Sequence, residues 1–113
     1  NDILASKEMY LGRHYQKRNK WIAAINRYKI IINDYDETIF VEEALHRLVE
    51  VNYKIGLIEE SRKYAKILGY NYMSSEWYKK SYKVFNKDYE EFIPKKVNDN
   101  KKGVLDKFRK LFD

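Results

Sequence analysis

The chain has 113 residues, a formal charge of +6 and no cysteine. That length suits one small domain or a piece of a larger protein. The missing cysteine excludes a disulfide framework and a thiolate zinc site, and no apolar run reaches the ~18 residues that a membrane-spanning helix needs.

The start, Asn1-Asp2-Ile3-Leu4, does not read as a signal peptide. It reads as the beginning of a helix, as expected of a chain cut from a longer protein. One proline and four glycines interrupt the pattern, and nothing alternates with period two for long, so the sequence predicts an all-α fold. Residues 2–17 form the first helix, with Leu4, Met9, Leu11, Gly12 and Tyr15 at apolar or small positions. The second helix, up to Tyr35, places Trp21, Ala24, Ile25, Tyr28, Ile31 and Ile32 on one face. Asp34 to Glu37 break it, and Thr38 is the expected N-cap of the third. Val41, Ala44, Leu45, Leu48, Val49 and Ile55 mark the core face of that third helix. Gly56 predicts a tight turn. The fourth helix carries Leu57, Ser61, Tyr64, Ala65 and Leu68, and Gly69 stands where a terminating glycine belongs. Ser74-Ser75 cap a fifth helix, residues 74–88, lined by Trp77, Tyr78, Ser81, Tyr82 and Phe85.

Leu11-Gly12-x-x-Tyr15 and Ala24-x-x-x-Tyr28 recur 37 residues later as Leu48-Val49-x-x-Asn52 and Ser61-x-x-x-Ala65. Tetratricopeptide repeats have a period of about 34 residues and small residues where paired helices meet. The spacing therefore predicts a helical-hairpin solenoid over residues 1–93, with hairpins 2–35 and 38–69 and the fifth helix as cap. Residues 94–113 read as a polar linker and a short amphipathic helix. Val104, Leu105, Phe108, Leu111 and Phe112 share one face of that helix, opposite Lys107, Arg109 and Lys110. It docks on the repeats, on a partner or on a membrane surface.

No nucleophile elbow, phosphate loop or dinucleotide fingerprint occurs. His14 and His46 lie on different helices without a His or Cys at ligand spacing, so both read as structural or exposed. The pairs Glu42/Glu43, Glu59/Glu60 and Glu90/Glu91 fall at helix ends, where they complement the helix dipole, and Glu43 reads as solvent-facing. The tyrosines read as core. These features describe a binding module, not an enzyme, with no cofactor. The lysines after Lys79 could attract nucleic acid, anionic lipid or an acidic protein, but a composition rich in Lys, Ile, Asn and Tyr accounts for them with no function behind it and is the preferred reading.

One feature stands apart. Ala23, Arg27, Ile30 and Asp34 form a second stripe on the second helix, with Asn26 beside it. An arginine framed by apolar residues suits an interface. It equally suits packing under the next repeat, with Arg27 bonded to Asp34 or to a neighbouring helix.

The segments "YLGRHYQKRNKWIAAINRYKIIINDYDET", "EEALHRLVEVNYKIGL" and "AKILGYNYMSSEWYKKSYKVF" resemble the C-terminal half of the BamD family. These are tetratricopeptide lipoproteins of the outer-membrane β-barrel assembly machinery. The resemblance covers roughly residues 5–86; Asp36 stands where that family has proline, and the residues from Asp88 onward follow no family pattern. It implies the periplasmic face of the outer membrane and an N-terminal lipid anchor that this chain does not contain. It implies docking on the POTRA domains of BamA, with other assembly lipoproteins and nascent barrel proteins as further partners and no nucleic acid. Arg27 matches the family arginine that faces the last POTRA domain, and Ala23, Asn26, Ile30 and Asp34 frame it. The competing expectation is a tetratricopeptide adaptor that holds a peptide in its concave groove.

Overall fold

The computed structural model describes residues 1–86. It contains five α-helices and, among the described residues, no strand: α1 (Asp2–Lys17), α2 (Trp21–Asp34), α3 (Val41–Lys54), α4 (Ile58–Asn71) and α5 (Glu76–Phe85). Asn1 starts α1 by accepting hydrogen bonds at Oδ1 from the amides of Ile3, at 2.9 Å, and Leu4, at 3.3 Å. That satisfies two of the donors a helix start leaves open. Asn19, at φ 62°, closes the turn into α2, a conformation asparagine tolerates.

α1 packs along α2 and α3 along α4, while α2 abuts α3 and α5 covers both α3 and α4. These are the hairpins of a tetratricopeptide-like fold. The described residues span 41 × 29 × 21 Å, an elongated shape suited to stacked hairpins. Tyr28 and Ile31 of α2, Leu48 and Val49 of α3, and Ala65 and Leu68 of α4 are fully shielded from solvent. Each large apolar side chain so buried contributes about 1.5–3 kcal/mol. The close approaches fall where small residues stand. A Cβ on Gly12 would run into the ring of Tyr28, and Ser61 is buried with its Oγ donating to the carbonyl of Val49 at 2.8 Å.

Several local expectations are corrected. Thr38 does not cap α3, which begins at Val41 after Phe40 with no side-chain cap. Instead its hydroxyl donates to the carbonyl of Tyr35 at 2.7 Å and closes the turn after α2. Gly69 lies inside α4, where a Cβ would come 2.7 Å from the ring of Tyr78; packing, not termination, requires it. Leu57 precedes α4 and is exposed. Trp21 and Trp77 pack against the edge of the core but are only partly buried. Gly56 does turn the chain, at φ 88°, and Ser75 does cap α5 by accepting from the Trp77 amide at 3.1 Å. The linker and amphipathic helix expected over 94–113, and the end of the capping helix at 88, lie outside the described residues.

Candidate functional site

α2 turns its core face toward α3 and leaves Arg27 on its flank. The Arg27 Nη1 donates to Glu8 Oε2 of α1 at 3.1 Å. The arginine side chain stays 37 % exposed, so the pair fixes its direction without removing it from water. Ala23 and Ile30, one turn to either side, are half-buried, and Asn26 is exposed. Asp34 does not pair with Arg27. It ends α2 and borders a separate hollow with Asp2, Asp36 and Glu37. The stripe is therefore continuous from Ala23 to Ile30 and reaches a second, acidic surface at Asp34.

A polar network that the sequence reading missed lies between α1, α3 and α5. Glu43 is buried, not solvent-facing: it accepts from Arg13 Nε of α1 at 2.9 Å and from Arg47 Nε at 3.1 Å, while Arg13 Nη2 bonds its other oxygen. Arg47 Nη1 also donates to Glu50 Oε1 at 2.9 Å. Gln16 donates to the same oxygen at 3.3 Å and itself accepts from the buried Tyr28 hydroxyl at 2.6 Å. His46 is buried beside Trp77, with Nδ1 2.8 Å from Ser81 Oγ and Nε2 3.4 Å from Glu50. Both ring nitrogens thus face a polar neighbour, Ser81 on one side and Glu50 on the other. Both charges of the central Glu43–Arg47 pair are thus matched on more than one side, which a buried ion pair requires. The available signal was spacing. Glu43, His46, Arg47 and Glu50 recur at three- and four-residue intervals along one helix face, but a reading based on hydrophobicity assigns such residues to water.

Burial opposes ionisation of Glu50, yet the hydrogen bond and charge of His46 and the Arg47 guanidinium outweigh it. They hold the Glu50 carboxyl down to about 2. Burial pushes the Tyr28 hydroxyl well above the usual tyrosine value.

Beside this network opens a cleft of about 670 Å³. Lys17 and Lys54 stand at it on the last turns of α1 and α3, with Trp21 and Tyr53 as its aromatic residues. Among the described residues, no group of His, Asp and Glu side chains is placed to hold a metal ion, and no helix is long and apolar enough to cross a membrane.

Residues 1–68 match the family YfiO, described as outer membrane lipoprotein. The chain belongs to that family. Its curated relatives include the outer membrane protein assembly factor BamD of Rickettsia prowazekii, 48% identical over 84 residues, which are 74% of this chain and 34% of the relative. BamD of Caulobacter vibrioides is 44% identical over 86 residues, 76% of this chain and 28% of the relative. BamD of Neisseria gonorrhoeae is 47% identical over 53 residues, 47% of this chain and 20% of the relative. The chain thus spans about a third or less of the length of these relatives. No solved structure matches it.

Proposed function

We propose that this BamD-family segment is a protein-docking module for outer membrane protein assembly at the periplasmic face of the outer membrane. We propose further that the α2 stripe of Ala23, Asn26, Arg27 and Ile30, ending at Asp34, docks on the POTRA region of BamA. The relatives' naming as assembly factors supports the role. The single observation that supports the surface is the state of Arg27. Its stem lies between half-buried Ala23 and Ile30, and its head is partly exposed and oriented by one carboxylate, Glu8. An incoming carboxylate can share that guanidinium without leaving it unpaired.

The test is affinity for a BamA POTRA fragment. Truncating an arginine hot spot costs about 2 kcal/mol or more, so Arg27→Ala should weaken binding roughly tenfold or more. Thermal stability should change little, since a half-exposed ion pair contributes ~0–1 kcal/mol. Lys29→Ala, at an exposed position of the same helix, should leave both unchanged. Unaltered binding by Arg27→Ala, with a loss of stability equal to that of Glu8→Gln, would make Arg27 an internal bridge and nothing more.

A further inference from the structure

α5 ends beside the cleft bounded by α1, α3 and α5. Val84, on its last turn, is one of the lining residues. The cap Asn86 leaves the helix with extended backbone, at φ −140° and ψ 102°. The sequence continues Lys87-Asp88-Tyr89-Glu90-Glu91-Phe92-Ile93. We propose that this acidic run folds back over the cleft as an intramolecular strap. Asp88 and Glu90 pair with Lys17 of α1 and Lys54 of α3, and Phe92 rests on Trp21 and Tyr53. The strap ties the end of α5 to α1, and whatever docks on this face has to displace it. None of the five stripe residues lines the cleft, so the proposal does not depend on the Arg27 surface.

Charge carries it first. The two arginines at the cleft, Arg13 and Arg47, are already neutralised by Glu43 and Glu50. Lys17 and Lys54 are exposed, and neither has a carboxylate partner among the described residues. Arg18 and Lys20, exposed in the turn after Lys17, add to the same positive field. Reach gives the second argument. An extended chain advances ~3.3–3.6 Å per residue, so the five residues from Asn86 to Glu91 span up to roughly 17 Å. Alternate residues of an extended chain share a side. Asp88, Glu90 and Phe92 then point together, two carboxylates for two ammonium groups and a ring for the aromatic residues. Tyr53 remains 41% exposed, and Trp21 is only partly buried.

Other pairings fit less well. The hollow at the opposite end of α1 is bordered by Asp2, Asp34, Asp36 and Glu37, which repel an acidic run. Residues 95–113 suit the cleft poorly, because Lys95, Lys96, Lys101, Lys102, Lys107, Arg109 and Lys110 outnumber Asp99, Asp106 and Asp113 and repeat the sign of the rim.

The chain has no cysteine, so Ile93→Cys gives a unique site for a nitroxide spin label on the 113-residue chain. The label should broaden the amide signals of Asn19, Trp21 and Lys54 in nitrogen-15 spectra, and salt should weaken the effect. Tethering alone keeps the label near α5, so charge reversal decides. Lys17→Glu/Lys54→Glu should relieve most of the broadening, and adding Asp88→Lys/Glu90→Lys should restore it. Lys7→Glu/Lys29→Glu, which reverses as many exposed charges elsewhere, should change nothing. The same spectra report whether each variant is folded, and Lys17→Gln/Lys54→Gln replaces the reversal if that protein is unfolded. The proposal is overturned by absence of selective broadening, by broadening that survives the reversal, or by equal relief in the two double variants. Stronger broadening from a label at Leu111→Cys overturns it too, since the occupant is then the basic segment. Broadening seen only when labelled nitrogen-14 chain is mixed with unlabelled nitrogen-15 chain also overturns it, in favour of a second copy.

Discussion

At the scale of single residues, two groups set how stability responds to pH. The folded-state value of Glu50 is about 2, against 4.5 for an ordinary glutamate. Its ionised form therefore favours the folded chain fully above about pH 4.5, and that contribution is lost as pH falls toward 2. Urea midpoints measured from pH 7 downward should decline in this window, and Glu50→Gln should flatten the decline. Tyr28 behaves in the opposite sense. Its value is raised by burial, so the contribution of the neutral hydroxyl is complete below about pH 10 and is lost only in stronger alkali. Tyr28→Phe removes the bond to Gln16 and should cost about 1 kcal/mol at neutral pH, while reducing the alkaline loss. The core position of Tyr28 was legible because it follows the helical period. The burial of Glu43 was not, because its partner Arg13 lies on another helix and no count along α3 brings the two together. Arg27 was legible as a residue off the core face; Glu8, which holds it, was hidden for the same reason.

At the scale of elements, three glycines do two different things. In an ordinary exposed helix Gly→Ala stabilises by up to about 1 kcal/mol. Gly12 and Gly69 should reverse that sign, because a Cβ at either position meets an aromatic ring of the facing helix, Tyr28 or Tyr78. Overpacking of this kind costs about 1–3 kcal/mol. Gly56 has open space around it but sits at φ 88°, so Gly56→Ala should cost about 1–2 kcal/mol from backbone conformation alone. Chemical denaturation of the three variants separates the two causes. Gly12→Ala should be partly rescued by Tyr28→Leu, which removes the ring, whereas no side-chain change should rescue Gly56→Ala. Sequence placed Gly56 correctly because a turn needs nothing beyond its own backbone. It misplaced Gly69 because a glycine near a helix end looks the same whether it terminates the helix or admits a ring from α5. Thr38 shows the same limit: its hydroxyl bonds backward to Tyr35, not forward into α3.

At the scale of the whole molecule, α3 is the element that everything shares. It packs on α2, α4 and α5 and exchanges ion pairs with α1. Stability in stacked repeats is close to a sum over neighbours, so the loss on removing a unit depends on what that unit covers. α5 covers α3 and α4 with buried Tyr78, Ser81 and Tyr82. Truncation after Asn71 should therefore lower the melting temperature sharply. It exposes apolar surface worth about 1.5–3 kcal/mol for each large side chain and leaves His46 without Ser81. A milder Ser81→Ala should cost about 1–3 kcal/mol, the penalty of one buried polar group without its partner, and circular dichroism melts would rank the two. The all-helical hairpin stack was readable because two amphipathic periods repeat at a fixed offset. The tie between α1 and α3 was not, since it runs through charged side chains that carry no apolar period.

The network around Arg47 also constrains how the sequence can drift. Glu43 serves two arginines, and Arg47 serves two glutamates. Glu43 is the buried member, so losing an arginine beside it leaves a carboxylate charge where water replaces the lost partner poorly. Exchange at these positions is therefore expected in concert, acid and base together, while exposed neighbours such as Lys54 change freely as far as folding is concerned. In a set of descendants, the pairs Arg13–Glu43 and Arg47–Glu50 should be inherited as units, and a lineage that loses one member should have replaced the other.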